Sequence, residues 1–94
     1  MIKSFCLGSK KYKVERHSHD SGSLGICFSP LCLIKIQMVF DGKPIPEESQ
    51  EQTLFHEVVH AILDEIGERD MSSNEKFVQS FSLLMRQFFK TLKE

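Results

Sequence analysis

The chain changes its apolar rhythm once, and that change sets the fold class. Between Leu31 and Phe40, Cys32, Ile34, Ile36 and Met38 alternate with Leu33, Lys35, Gln37 and Val39, the period-two signature of a strand with one apolar face. Asp41-Gly42-Lys43-Pro44 then turns the chain. Pro46-Glu47-Glu48 is an acidic approach suited to a helix N-terminus, and beyond it apolar residues recur every third or fourth position. Phe55, Val58, Val59, Ile62 and Ile66 mark a first helix, from about Pro46 or Ser49 to Ile66, with Gly67 placed to cap it. Phe77, Val78, Phe81, Leu84, Met85, Phe88 and Leu92 mark the buried face of a second, from about Asn74 to Leu92.

The first third of the chain adds strands. Ile2–Leu7 and Lys11–Arg16 read as a hairpin around Gly8-Ser9-Lys10, with Lys10, Lys11, Lys13 and Arg16 on its wet side. Residues 17–25, rich in Ser, Gly and Asp, read as a loop, and Ile26–Phe28 as a short strand broken by Ser29-Pro30. The predicted class is α+β: a small antiparallel or mixed sheet of three to four strands packed on two C-terminal helices.

At 94 residues the chain supports one domain, spanning 1–94. Its core is modest, and a bound metal linking its elements would add stability. The formal charge of −1 and the lack of a basic stripe argue against a nucleic-acid partner. No apolar run approaches a signal peptide or a membrane span, so no membrane partner is expected. Cys6, Cys27 and Cys32 form no C-x-x-C pair and do not suit a disulfide framework, which fits a reducing, cytoplasmic setting. Cys27 and Cys32, in apolar company, read as small core residues.

His56-Glu57-Val58-Val59-His60 carries the chemistry. Histidines at i and i+4 lie one turn apart on one helix face, so their imidazoles can converge on one Zn²⁺. Glu57 points to the adjacent side, near the open coordination position, where it can act as general base and then acid. A third ligand is needed. Asp64 repeats the four-residue spacing, but it would lie about 12 Å from His56 along the helix axis. Glu75 is reachable if the second helix folds back after Gly67–Ser73. It has a rival role, because Ser72-Ser73-Asn74-Glu75 also fits a capping box in which Glu75 bonds the backbone of Ser72. Ligand and cap stand level on these grounds, with Asp70 and Gln79 behind.

Thr53-Leu54-Phe55-His56-Glu57-Val58-Val59-His60-Ala61-Ile62, then Gly67, then Asn74-Glu75-Lys76-Phe77-Val78-Gln79-Ser80-Phe81-Ser82, resembles the small zincin-like metallopeptidases of bacteriophages and prophages. These are similar in turn to the repressor-cleaving zinc peptidases. The resemblance spans about residues 31–92. It implies a minimal zincin-like domain with the H-E-x-x-H motif on its first helix, Zn²⁺ as cofactor and a peptide or protein as substrate. In the wider group the third ligand is a glutamate in a pattern like E-x-x-A-N-x-F-A. Glu75 occupies that position, with Val78, Gln79 and Ser82 departing from the pattern, and the resemblance therefore favours Glu75 as ligand.

Two other groups bear on function. His17 and His19 form an H-x-H pair in a loop-like setting, from which one could reach the zinc cleft and polarise a carbonyl. Tyr12, the one tyrosine, suits packing in the hairpin. The strand around Leu31–Met38 is expected to wall the cleft and to pair with an extended substrate. The rival to a peptidase is a non-catalytic, zinc-stabilised binding module or regulator with a protein partner.

Overall fold

In a computed structural model, which describes residues 1–20 and 22–94, the chain is α+β. The loop expected at 17–25 includes Ser21, which lies outside the described residues; His17 itself ends a strand. Strands β1 (Ser4–Leu7), β2 (Lys10–His17), β3 (Gly25–Phe28) and β4 (Leu33–Gln37) form one mixed sheet in the order β1-β2-β4-β3. β1 and β2 make the expected antiparallel hairpin, with Gly8 at φ +60 in its turn. β4 runs parallel to β2, pairing Val14 with Ile34, and antiparallel to β3, pairing Cys27 with Ile34.

The expected strand from Leu31 to Phe40 is shorter, for local reasons at both ends. Ser29–Leu31 forms a 3₁₀ turn, and Cys32 closes it in the left-handed region at φ 49, so pairing starts at Leu33. After Gln37 the chain leaves the sheet: Met38 N–H donates to His17 O, and Met38 O accepts from Ile45 N–H. Val39–Phe40 (β5) then pairs with Lys43–Pro44 (β6) across Asp41-Gly42, both at positive φ, which is the geometry a two-residue hairpin turn requires.

Helix α1 (Glu47–Glu65) starts after Pro46 with two acids in its first turn. It ends in a Schellman motif. Gly67 N–H donates to Asp64 O, Glu68 N–H to Leu63 O, and Gly67 takes φ +81 as expected of the cap. A one-turn helix α2 (Arg69–Ser72) follows, then α3 (Glu75–Thr91).

Two apolar clusters hold these layers. Tyr12 and Val14 of β2, Ile34 and Ile36 of β4, and Leu54 and Ala61 of α1 form the first; Val59 and Leu63 of α1 with Val78 of α3 form the second. Each fully buried aliphatic side chain contributes about 1.5–3 kcal/mol. α1 thus lies between the sheet and α3 and buries two faces. This corrects the single stripe expected for it: Ile66 is exposed, while Leu54, Ala61 and Leu63 are buried. The buried face expected for the second helix is also corrected. α3 packs chiefly on α1, which covers Val78 and Ser82 and leaves Phe81, Leu84, Phe88 and Leu92 exposed. Among the described residues, no helix is long and apolar enough to cross a membrane.

Candidate metal centre

α1 and α3 lie side by side because α2 and the turns flanking it reverse the chain, and this brings the N-terminus of α3 to the middle of α1. His56 and His60, one turn apart on α1, both point at Glu75, the first residue of α3. Nε2 of His56 is 3.1 Å from Glu75 Oε2, and Nε2 of His60 is 3.1 Å from Glu75 Oε1. One atom from each of the three side chains lies within 4.8 Å of the other two, so the group is able to hold a metal ion. Two imidazole nitrogens and a carboxylate oxygen are also a donor set that suits zinc.

The outer nitrogens are held as well. His56 Nδ1 lies 2.7 Å from Gln79 Oε1, and His60 Nδ1 lies 3.1 Å from Ser72 Oγ. Gln79 Oε1 can only accept, so Nδ1 of His56 carries a proton and Nε2 is the nitrogen that faces the candidate metal position. Ser72 is buried and holds the second ring in place. Sequence reasoning weighed Gln79 as a possible ligand and Ser72 as a cap; the structure makes them hydrogen-bond partners of His56 and His60. Their position one helix away from the motif is a tertiary fact with no local signature.

The capping box does not form. Asn74 caps α3 instead, its Oδ1 accepting from Phe77 N–H at 3.0 Å, so Glu75 is free of that duty. Asp70 lies on α2 outside the group. Asp64 is also outside it, and accepts a hydrogen bond from Ser29 Oγ at 2.5 Å.

Glu57 occupies the neighbouring angular position on α1 and is only 7% exposed. Burial pushes its carboxyl up to about 7; the His56 charge pulls it down, and the Glu75 charge adds to the rise. It lies against β3, and a Cβ on Gly25 would be 3.2 Å from Glu57 Oε2 and 2.5 Å from Thr53 Cγ2. The missing side chain of Gly25 is therefore what lets the strand approach the helix here. These residues line one cleft of about 720 Å³, together with His56, His60, Glu75 and Gln79.

The strand beside this cleft is β3. The expectation that Leu31–Met38 would pair with a substrate is corrected, because β4 has β2 on one side and β3 on the other and its ladder positions are filled. β3 is the edge. His17 and His19 lie with ring centres 4.8 Å apart and planes tilted by 35°, and line a second cleft of about 500 Å³ with Phe28 and Lys35, which adjoins the first at Ser23, Gly25 and Ile26. Tyr12 is fully buried, donates to Glu65 Oε2 at 3.3 Å, and has its phenol pushed up to about 12, first by burial. Neither Tyr12 nor the His17–His19 pair is among the residues lining the cleft of His56, His60 and Glu75. Cys27 does line the cleft, and burial pushes its thiol up to about 11.

Comparisons of the chain with protein-family models, with curated proteins and with solved structures returned no match. The functional reading therefore rests on the geometry of the site itself.

Proposed function

We propose that this chain is a zinc-dependent peptidase of the zincin-like type, hydrolysing a peptide bond in a peptide or protein substrate. The observation that carries the reading is the convergence of both Nε2 atoms on the carboxylate of Glu75 while both Nδ1 atoms are occupied elsewhere. His56, His60 and Glu75 hold the ion. Zinc, when bound, supplies a Lewis acid that polarises an oxygen and makes hydroxide available near neutral pH.

Glu57 does the proton work. Its carboxylate, buried beside the ligands, takes the proton of the attacking water and returns it to the leaving amine. A carboxyl raised toward neutrality is matched to that double role better than an exposed one. The open edge of β3 offers backbone hydrogen bonds to an extended substrate. The three free cysteines fit a cytoplasmic setting.

The exposed apolar residues of α3 favour a second reading, in which the domain binds a protein partner and keeps zinc for stability alone. One experiment separates the two. Glu57→Gln should retain zinc and circular dichroism while lowering cleavage at least 10²-fold, the usual order for a general acid–base group. A peptide library and a cell lysate, read by mass spectrometry with and without chelator, supply the substrates. Cleavage that survives Glu57→Gln, or no cleavage with parent protein, sinks the peptidase reading.

A further inference from the structure

The cleft continues past the metal-binding group to Asp64, whose charge the proposed chemistry does not use. Asp64 is one turn beyond His60, about 6 Å further along the α1 axis. Its Oδ2 accepts from Ser29 Oγ, and it has no ion-pair partner among the described residues. Among those residues no Lys or Arg lines the cleft, whereas Glu57, Asp64 and Glu75 all do. Glu57, nine-tenths buried and without a hydrogen-bond partner among the described residues, faces the same space. Beyond the metal-binding group, an occupant of this cleft therefore meets only carboxyl groups, Glu57 and Asp64, among the acidic and basic side chains described.

β3 and α1 run in the same direction here. Gly25, at the start of β3, abuts Thr53 and Glu57, while Ser29, just past its end, reaches Asp64. A strand laid along the β3 edge advances about 3.3 Å per residue, so it passes from the level of the ligands to Asp64 within two or three residues.

We propose that Asp64 is a specificity-determining residue, holding a lysine or arginine side chain of an extended peptide two or three residues from the bond presented to His56, His60 and Glu75. This deepens the peptidase reading and rests on it for the peptide nature of the ligand. Ser29 fixes one carboxylate oxygen and leaves the other for the substrate cation, a charge-assisted contact stronger than a neutral hydrogen bond.

The test measures binding, apart from turnover. Acetylated, amidated nonapeptides carry Lys, Arg, norleucine, citrulline or Glu, scanned through each position. They are titrated by fluorescence anisotropy into zinc-loaded Glu57→Gln protein. Lys or Arg at one position should bind about tenfold more tightly than its neutral analogue, with the margin shrinking as salt rises. Asp64→Asn should erase the margin while leaving the norleucine peptide's affinity unchanged, and Asp64→Glu should keep it. Freeing the peptide's amino terminus should add nothing; a gain confined to that arm overturns recognition of a side chain. Equal binding of charged and neutral peptides, or a margin that survives Asp64→Asn, also overturns the proposal. Cleavage by parent protein without basic preference would remove this role and leave the peptidase reading standing. Asp64-dependent binding without cleavage would do the reverse.

Discussion

Gly25 of the edge strand and Thr53 of the long helix approach so closely that a Cβ on Gly25 would stand 2.5 Å from Thr53 Cγ2. Thr53 also donates through Oγ1 to Ser49 O, which holds its side chain in place. Gly25→Ala should therefore destabilise the protein by about 1–3 kcal/mol, the usual cost of overpacking a close contact. Thr53→Ser removes the offending methyl and keeps the hydroxyl. In a double-mutant cycle by urea unfolding, it should recover part of the loss. Additive effects would show that strand and helix are not packed through this pair.

Zinc should stabilise the folded chain strongly, because its three ligands come from two helices. At a free zinc concentration 100 times Kd the gain is about 2.7 kcal/mol. That corresponds to roughly 10–20 °C in Tm for a domain this small. Glu75→Gln should lose most of that shift with little change in the metal-free Tm, since Asn74 and not Glu75 caps α3. A zinc-induced shift equal to the parent's would remove Glu75 from the ligand set.

The contacts behind the ligands should matter nearly as much. Gln79→Leu deprives His56 Nδ1 of its acceptor, and Ser72→Ala deprives His60 Nδ1 of its partner. Each should weaken zinc about 10–100-fold, as loss of such supporting contacts does elsewhere. Competition with a calibrated chelator dye measures it, and unchanged affinity in both variants would assign the two contacts no part in holding the rings.

Metal-free protein should lose stability as pH rises through 7. Glu57 has a carboxyl raised from 4.5 to about 7 by burial first, so the folded state holds a proton that the unfolded chain releases. Its contribution is fully present below about 4.5 and is lost as pH rises through about 7, with a total on the order of 3 kcal/mol. Glu57→Gln has no such proton to release. Urea midpoints in chelator at pH 5 and pH 8 should thus differ more for the parent than for the variant, and equal slopes would place Glu57 in a solvated position.

Helical period, the four-residue histidine spacing, the Gly67 cap, the Asp41-Gly42 turn and the alternation at Ile34 and Ile36 are set by backbone geometry within a few residues. They were therefore readable from the chain alone, and with them the α+β class and the His56-Glu57-His60 core of the site. Which apolar residues are buried depended instead on what each helix packs against. α1 has neighbours on two faces and covers Leu54 and Leu63, whereas α3 packs chiefly on one and leaves Leu84 66% exposed.

Sequence by itself determined the two histidines and their neighbouring glutamate, because one helix holds all three. Only the tertiary structure decided among the remaining candidates. Asn74 took the cap and left Glu75 facing both imidazoles; Gln79 and Ser72 became their supports; and β3, not β4, became the open edge beside the cleft. The Asn74 cap spans only three residues, but the other outcomes depend on contacts between groups 12 or more residues apart, or on which strand ends outermost. Those depend on the joint packing of sheet and helices, which no local spacing encodes.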